Sequence, residues 1–565
     1  MLDSSLLTLI NNSSTISKKY QMLKSIDIFL NRCIKSLDKK DKKRVFLEKI
    51  KTSKADSFAD ALQRILFENM LFWQELHTLI GIGHLDAMLY DYYRNDINSG
   101  KITQDSAFHM IKEFLSCLHK YYLFKSAELP GDTGQIIILG GLLKNGNYLS
   151  NDLTILFIRA VKELQLPDPK ILLRTSKEMP LNIMKEAVHC IQTGIGCPLF
   201  ANDDVILPSL EKFGYKKDDV FNYGTAACWE PLIIGKTSDL NNIAIVNFAD
   251  PFADNSIYNT NFAFFDDFLN YYIKNLLQSI DKIIVNLHQL HWDKTPLLSL
   301  FVHNCNETDT DITENTAVYH NYGFLSVGLA NTVNSLLNIK KFVYDKKIIT
   351  FQLLGTAISN NYEGYENIQT LLKENDSQYG LDNKESIEMA DHLFMTVSDY
   401  IEEINNKEVF SHKIKIGLSS PSYLSSGKKF AATPDGRNYG TPFSVHISND
   451  RSTDFTQLFK FASCMNYKGN RFNGNVVDFM VAPSFIENNF EKFTQMLFDA
   501  LNAGVFEMQM NVISSKTLVR AKEHPEEFPQ LIVRVWGFSA YFNDLPEEYK
   551  NLLINRAQEN ECNRH

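Results

Sequence analysis

The chain has little of what would suggest a metal, a membrane or a nucleic acid as its partner. Its eight cysteines contain no Cys-x-x-Cys pair, so the usual spacing of a zinc ribbon or an iron–sulfur cluster is missing. No apolar run reaches the roughly eighteen residues that a membrane-spanning helix needs. The net charge is −10 and the basic residues are scattered, which disfavours nucleic acid. We therefore predict no metal site, no membrane association and no nucleic-acid partner.

The start of the chain also lacks the features of an export signal. Its first residues read MLDSS, without the basic start and apolar stretch that mark a secretory signal. We therefore expect a cytoplasmic protein. Its 565 residues, 44% of them hydrophobic, can bury a large core as one enzyme fold or as several domains.

Strands and helices alternate in the first half of the chain. Continuous apolar strands are predicted at 135–141, 170–174 and from 198, and a helix begins near Asn151. Such strands are buried on both faces, so the pattern predicts an α/β sheet or barrel. Helices are predicted within 1–55 and at 57–80, 104–123 and 545–560, and an alternating strand at 506–512.

Gly537 is an unusual choice between two bulky aromatic residues, Trp536 and Phe538. It lies in the apolar stretch IVRVWGFSAYF near the end of the chain. Glycine contributes no side chain to packing and costs backbone entropy, so a bare Cα is needed at this position. A turn or a close backbone approach is the simplest explanation of this glycine on its own.

A second informative stretch contains a cysteine two residues before a glutamate. Cys228 and Glu230 lie in the segment NYGTAACWEP, where small residues precede them and Pro231 follows. The segment GKT, residues 235–237, comes shortly afterwards. Taken alone, this loop is explained equally well as a turn that contains a buried thiol.

Together the two stretches resemble the signatures of the glycyl radical enzymes, the pyruvate formate-lyase-like family. The resemblance implies that Gly537 stores an unpaired electron, that Cys228 forms a thiyl radical and that Glu230 is a general acid or base. Trp536 stands where the family usually has a small residue, and Phe538 stands where it usually has tyrosine. Further landmarks match at 321–330, 362–367 and 433–437, and the resemblance extends from about residue 57 to 560.

The resemblance also implies a fold and a division of the chain. We expect a ten-stranded α/β barrel made of two five-stranded half-barrels and surrounded by helices, with the cysteine and glycine loops meeting inside. The expected divisions are a helical segment at 1–56, a barrel domain at 57–440 and a glycine radical domain at 441–565. Relatives usually carry a substantial helical region before the position of Ser57, so a larger or more open pocket is a hypothesis that follows.

The chemistry that the resemblance implies explains why these three residue types occur together. A radical at a glycine Cα is stabilised by the flanking amide groups, and a thiol can exchange hydrogen with it. The thiyl radical of Cys228 then abstracts hydrogen from an unactivated substrate carbon. Glu230 takes a hydroxyl proton while a neighbouring group leaves, within a site closed to oxygen.

The cysteine loop narrows the expected reaction. Ala227 precedes Cys228, whereas formate-lyase relatives carry two adjacent cysteines, and the zinc-ligand pairs of anaerobic ribonucleotide reductases are missing. Enzymes that add hydrocarbons to fumarate usually lack the glutamate that is present here as Glu230. A dehydratase-type lyase remains the first choice. The alternatives are a decarboxylase, a C–N or C–S lyase, and an inactive scaffold protein of the same fold.

Substrate-binding residues are predicted by position alone. His77 and Thr78 lie where related dehydratases place a His-Ser pair that contacts substrate hydroxyls, although His77 could equally be a core histidine. Asn242 lies where diol dehydratases of the family carry an aspartate. These three residues are our candidates for contacts with a small hydroxylated substrate.

The resemblance further implies a partner protein. A radical S-adenosylmethionine activating enzyme must remove the hydrogen from Gly537, and no cofactor is expected to be bound permanently. We also expect a small-molecule substrate, a homodimer and an oxygen-sensitive enzyme that works under anaerobic conditions. The substrate itself is not identified by the sequence.

Overall fold

The computed structural model describes residues 2–77, 79–124, 133–226, 229–448, 454–535 and 537–562. A helical layer comes first, formed by α1 (Leu6–Asn11), α2 (Lys18–Ser36), α3 (Lys42–Thr52) and α4 (Phe58–Gln74). An alternating α/β region follows, made of β1 (Gly83–His84), α5 (Leu85–Met88), α6 (Tyr90–Asn98), α7 (Gln104–His119), β2 (Ile136–Gly140), α8 (Asp152–Leu164), β3 (Lys170–Thr175), α9 (Leu181–Cys190), β4 (Leu199–Asn202), α10 (Asp203–Phe213) and α11 (Lys217–Val220).

The rest of the chain repeats the alternation of strands and helices. The middle region contains β5 (Tyr223–Thr225), β6 (Pro231–Ile233), β7 (Leu240–Asn247), α12 (Phe265–Leu287), α13 (Pro296–Ser299), α14 (His303–Thr308), β8 (Asn321–Val327), α15 (Leu329–Asn338), α16 (Phe351–Ser359), α17 (Glu366–Lys373), α18 (Lys384–Asn406), β9 (Lys413–Ile416) and α19 (Tyr423–Lys428). The C-terminal region contains β10 (Ile447–Ser448), α20 (Phe455–Cys464), β11 (Val476–Val481), α21 (Pro483–Ala503), β12 (Glu507–Val512), α22 (Ser515–Glu523), β13 (Ile532–Arg534), β14 (Ser539–Tyr541) and α23 (Glu547–Cys562).

The larger sheet has seven strands in the order β1-β2-β3-β4-β12-β11-β10. The strands β1 to β4 are parallel to one another, and so are β12, β11 and β10. The two parallel groups meet antiparallel where Glu507 of β12 pairs with Ala201 of β4. The C-terminal strands therefore extend the sheet that begins in the first half of the chain.

The smaller sheet consists of the three parallel strands β7, β8 and β9. It approaches the larger sheet where β9 meets the segment before β11: Ile416 N–H donates to the Asn470 carbonyl at 2.7 Å, and Asn473 N–H donates to the Ile416 carbonyl at 3.1 Å. The two sheets contain ten strands in all, seven and three. The α/β fold is confirmed, and closure into a barrel of two half-barrels stays a prediction.

The predicted central strands are buried as expected for an α/β protein. Every residue of β2, β3, β11 and β12 is buried, because helices cover the outer faces of the sheet. Helix starts follow ordinary capping rules: the Ser57 side chain accepts from Asp60 N–H at α4, and Asn151 caps α8. Among the described residues, no helix has both the length and the apolar content to cross a bilayer.

Two predictions of secondary structure need correction. The helix predicted at 57–80 ends at Gln74, because the chain turns at Leu76, which adopts a left-handed φ of 63°. The alternation in β12 does not separate a buried face from a solvent face, because all six residues are buried. Its polar residues instead face the interior that holds the candidate site.

Candidate active site

Gly537 lies in the tight turn of a β-hairpin. Strands β13 and β14 pair antiparallel up to Arg534 and Ser539, and Val535 N–H donates to the Phe538 carbonyl at 2.9 Å. Gly537 is buried and adopts a φ of 75°, a conformation that glycine enters without steric cost. Its carbonyl accepts from Lys170 Nζ at 3.3 Å, which ties the turn to β3. We call residues 532–541 the glycine hairpin.

The loop that carries Cys228 and Glu230 connects β5 to β6. Thr225 pairs with Pro231, Ala226 N–H donates to the Glu230 carbonyl at 2.9 Å, and Trp229 N–H donates to the Ala226 carbonyl at 3.0 Å. Cys228 lies outside the described residues, as do Ala227 and Trp536. The bonds on either side show that the loop is a closed turn between paired strands. We call residues 223–233 the cysteine loop.

Trp229 holds a strained backbone conformation next to Cys228. Its φ is 77°, which is a genuine outlier for a bulky residue, and its side chain is 2% exposed. Such conformations cost on the order of 1–3 kcal/mol and persist only where the surrounding structure determines them. Strain of this kind concentrates at functional sites, which supports a functional role for the cysteine loop.

The cysteine loop and the glycine hairpin contact each other directly. The guanidinium of Arg534 lies 5.4 Å from the ring centroid of Trp229, within the range of a cation–π interaction. Trp229 follows Cys228 in the chain, and Arg534 precedes Gly537 by three residues. The expected meeting of the two loops is therefore observed for their flanking residues.

The polar face of β12 supports this contact. Gln509 Oε1 accepts from Arg534 Nε at 3.0 Å. Asn511 pairs with the backbone of Arg534 twice: its Oδ1 accepts at 2.6 Å, and its Nδ2 donates at 2.8 Å. Sequence reasoning missed these side chains, although the alternation of polar residues within a strand next to the glycine segment could have indicated them.

A second buried glutamate lies close to Glu230. Glu230 is 1% exposed, and Glu507 at the start of β12 is completely buried. Burial raises the pKa of Glu507 well above its usual range, the N–H of Asn475 that donates at 3.1 Å lowers it, and the charge of Glu230 raises it again. The pKa shift of Glu507 shows that these two carboxyl groups interact electrostatically.

A buried ion pair fixes the base of the cysteine loop. Arg174 of β3 contacts both carboxylate oxygens of Asp203, at 3.0 and 2.8 Å. The hydroxyl of Tyr223 donates to the same carboxylate at 2.7 Å, and Arg174 donates to the Phe221 carbonyl at 2.8 Å. Because the pair is bidentate and fully buried, it sets the position of β5 relative to the large sheet.

A cavity of about 850 Å³ lies beside the cysteine loop. Its wall includes Thr225 and Ala226 of that loop, Ile138 of β2 and Asn241 of β7. Ala226 precedes Cys228 by two residues, so their Cα atoms are at most about 7 Å apart. This cavity is therefore the candidate substrate site next to the cysteine loop.

The predicted substrate-binding residues occupy different positions relative to this cavity. His77 is half-buried in the turn after α4, with Nε2 3.7 Å from Glu75, and it is not part of the described wall. Thr78 lies outside the described residues. Asn242 is exposed on β7, whereas its neighbour Asn241 is buried at the cavity wall. The structure therefore favours Asn241 over Asn242.

No group of three metal-ligating side chains occurs among the described residues. His288 and His291, which are three residues apart, are both exposed. The ring centroids of His288 and Phe410 lie 4.4 Å apart.

Comparison with known proteins identifies the family. The family model described as pyruvate formate lyase-like matches residues 45–422, and that of the glycine radical region matches 446–543. The chain belongs to the pyruvate formate-lyase-like family. The resemblance seen in the sequence is thereby confirmed.

Similar proteins include lyases of this family. The chain is 26% identical to isethionate sulfite-lyase of Oleidesulfovibrio alaskensis, over 89% of this chain and 65% of that protein. It is 25% identical to trans-4-hydroxy-L-proline dehydratase of Clostridioides difficile, over 90% of this chain and 68% of that protein. The chain thus spans about two thirds of the length of these relatives.

The fold agrees with solved structures of the family. The glycerol-bound form of the B12-independent glycerol dehydratase from Clostridium butyricum is similar with a TM-score of 0.85 and 25% identity, covering 98% of this chain and 78% of that chain. The same values apply to a structure described as 1,2-propanediol dehydration in Roseburia inulinivorans.

Proposed function

We propose that this chain is a glycyl radical lyase of the dehydratase type. Gly537 stores the radical, Cys228 carries the thiyl radical that attacks the substrate, and Glu230 is the general acid or base. The contact between Trp229 and Arg534 carries the proposal, because it joins the two loops on which these residues lie. The match of residues 446–543 to the glycine radical family model supports the role of Gly537.

In the proposed reaction, Cys228 removes a hydrogen atom from the substrate and later returns one to the product. The sulfur radical of Cys228 takes a hydrogen atom from a substrate carbon that bears a hydroxyl group. Glu230 accepts the proton of that hydroxyl and passes it to the neighbouring hydroxyl group, which leaves as water. The product radical then takes a hydrogen atom back from the Cys228 thiol. The thiyl radical is restored, and it regenerates the radical at Gly537.

Burial of the site suits this chemistry. Gly537, Glu230 and Glu507 are all buried, so solvent and stray hydrogen donors have little access to them. Burial raises the pKa of Glu507 well above its usual range, and the charge of Glu230 raises it further. Burial therefore disfavours a second charge beside Glu230.

The proposal includes the partners of such an enzyme. A radical S-adenosylmethionine activating enzyme would install the radical, and the protein would work as a homodimer in an anaerobic cytoplasm on a small hydroxylated substrate. The barrel domain at 57–440 and the glycine radical domain at 441–565 would together form the closed site. Gly537 is buried, so the activating enzyme requires access to the glycine hairpin.

Electron paramagnetic resonance tests the radical directly. We expect a doublet after anaerobic incubation with the cognate activating enzyme, reductant and S-adenosylmethionine, and a chain cut at Gly537 on exposure to oxygen. Gly537→Ala should lack both. Gly504→Ala is the matched control, because Gly504 also has a left-handed φ, of 115°, and an added Cβ there would meet its nearest neighbour at 3.6 Å. A folded wild-type chain without a doublet would favour the inactive scaffold.

The roles of the cysteine loop need a separate test. Cys228→Ser and Glu230→Gln should keep the doublet and lose at least about a thousandfold of turnover, since a nucleophilic or acid–base group of this kind contributes at least that much. Turnover in either variant at the wild-type rate would contradict the assignment.

The leaving group has a second candidate. Similarity to isethionate sulfite-lyase favours C–S cleavage as an alternative to dehydration. Incubation of the activated enzyme with vicinal diols and with hydroxyalkyl sulfonates distinguishes them, because dehydration yields a carbonyl product without sulfite. A decarboxylase or a C–N lyase would instead release carbon dioxide or an amine.

A further inference from the structure

The wall of the 850 Å³ cavity has an uneven charge distribution. Its described residues include four carboxylic acids, Asp3, Glu68, Asp239 and Asp293, and neither lysine nor arginine. The single histidine among them, His412, is neutral at pH 7, because burial and the nearby His320 lower its pKa to about 4. The described wall therefore presents no cation to a ligand.

A lysine behind the wall is already paired. Lys415 is buried and pairs with Asp239 at 2.7 Å, and it also donates to the Pro231 carbonyl at 2.9 Å. An anionic ligand would therefore meet carboxylates on a wall whose described residues include no lysine or arginine. Sites that recognise carboxylate or sulfonate groups usually provide an arginine fork, and none lies on the described wall.

The remainder of the wall is apolar and aromatic. Phe72, Phe301 and Trp292 line it, together with aliphatic residues of β6 and of the segment before β1. A volume of about 850 Å³ is in the range of pockets that take ligands much larger than a three-carbon diol. The shape and lining suit a molecule with an apolar body.

Polar acceptors lie at the end of the cavity next to the cysteine loop. Thr225 Oγ1 and Asn241 Oδ1 are buried and have no protein hydrogen-bond partner in the described structure. Both residues belong to the cavity wall. A buried acceptor without a partner costs stability, so a donor hydroxyl of a ligand would be favoured there. Thr225 precedes Cys228 by three residues.

We propose that this cavity selects a hydroxyl-bearing substrate with an apolar body and rejects anions. This inference rests on the proposed function, because it treats the cavity as the substrate site of that lyase. The hydroxyl end points to Thr225 and Asn241, and the apolar end lies against the aromatic residues.

Binding to the full chain without the radical tests the inference independently of catalysis. The probes are 2-(4-hydroxyphenyl)ethanol, 4-hydroxyphenylacetate and 2-(4-hydroxyphenyl)ethylamine, which share one body and are neutral, anionic and cationic. We expect saturable calorimetric binding of the neutral probe, at least tenfold tighter than that of the anionic probe, and no such weakening for the cationic probe, because the wall carries carboxylates. Because binding needs no radical, the two results are independent. Loss of this preference would contradict the cavity inference, whereas loss of the doublet would contradict the proposed function.

Variants of the wall locate the ligand. Trp292→Phe should remove the fluorescence change on binding and leave the calorimetric affinity within threefold. Asp293→Lys should strengthen binding of the anionic probe at least threefold, and Asp293→Asn, the matched control, should do so less. Equal or tighter binding of the anionic probe in the wild type would overturn the proposed charge selection. Absence of saturable binding of the neutral probe would overturn the assignment of the cavity.

Discussion

Arg534 connects three parts of the candidate site through one side chain. Its guanidinium lies against Trp229 of the cysteine loop and donates to Gln509 of β12, while its backbone pairs with Asn511. The planar guanidinium can stack on an aromatic ring and donate in its own plane at the same time, which an ammonium group cannot. Arg534 is therefore the residue that fixes the position of the glycine hairpin relative to the cysteine loop.

Arg534→Lys should lower the radical yield more than it lowers stability. Loss of the stacked, planar contact is expected to cost about 1–3 kcal/mol of unfolding free energy. Spin quantification and urea unfolding measure the two effects in the same preparation. Arg520→Lys is the control, because Arg520 lies exposed on α22 and pairs with Glu527. An unchanged spin yield in Arg534→Lys would contradict the role of Arg534 in positioning the glycine hairpin.

Glu507→Gln should change the pH dependence of stability. The folded pKa of Glu507 is raised above its ordinary value of 4.5, so the folded state binds more protons than the unfolded state above that pH. The wild type should therefore lose stability relative to Glu507→Gln as the pH rises from 4.5 toward neutrality, by up to about 1.4 kcal/mol per pH unit.

Urea unfolding at pH 5 and pH 7.5 measures this change. Glu491→Gln makes the same chemical change on an exposed side chain and serves as the control. A difference between wild type and Glu507→Gln that is constant across this range would show that Glu507 is not held protonated.

At the level of elements, strand β9 approaches the chain before β11 with almost no space between the backbones. A Cβ added at Gly417 would lie 1.9 Å from the Asn473 carbonyl oxygen. Gly417 N–H also donates to the Phe324 carbonyl of β8 at 3.0 Å. Glycine is required at this position because neither backbone can move without breaking strand pairing. This approach is the described link between the three-stranded and seven-stranded sheets.

Gly417→Ala should therefore destabilise the protein strongly. Overpacking of this kind costs typically about 1–3 kcal/mol, and here the neighbour is backbone rather than a flexible side chain. Gly81→Ala is the matched control, because a Cβ there would meet its nearest neighbour at 4.0 Å. Thermal unfolding of both variants measures the difference. Similar melting temperatures would mean that the two sheets are not held in this close contact.

For the whole molecule, the hydrophobic residues form more than one cluster. The main core includes the central strands β2, β3, β4 and β12. A separate C-terminal cluster combines the glycine hairpin with α22 and α23, and its buried members include Val533, Phe538, Leu518, Leu553 and Ile554. The glycine hairpin therefore packs mainly with C-terminal helices. Its links to the main core include the side chain of Ile532, the polar contacts around Arg534 and the bond from Lys170.

Hydrogen exchange should divide the molecule along this boundary. We expect faster amide exchange in the glycine hairpin and α23 than in β2 and β3, because the smaller cluster opens at a lower free energy. Asp478→Asn should accelerate exchange in α23 and leave β2 unchanged, since Asp478 holds Arg556 of α23 at 2.9 Å. Exchange in the hairpin as slow as in β3 would contradict this division.

The amino-acid sequence alone determined the family, the α/β class and the identity of the candidate radical, thiol and acid–base residues. These features depend on local patterns: strands β2 and β3 are continuous apolar runs, and Gly537, Cys228 and Glu230 lie in short motifs that one sequence displays.

Only the tertiary structure decided which other residues join the site. Glu507 and Arg534 approach the cysteine loop although more than two hundred residues of chain separate them from it, and no local pattern encodes such a contact. The position of Asn241, rather than the predicted Asn242, at the cavity wall also depends on which residues of β7 face the cavity. The charge of the cavity wall likewise comes from residues that are far apart in the sequence and that only folding brings together.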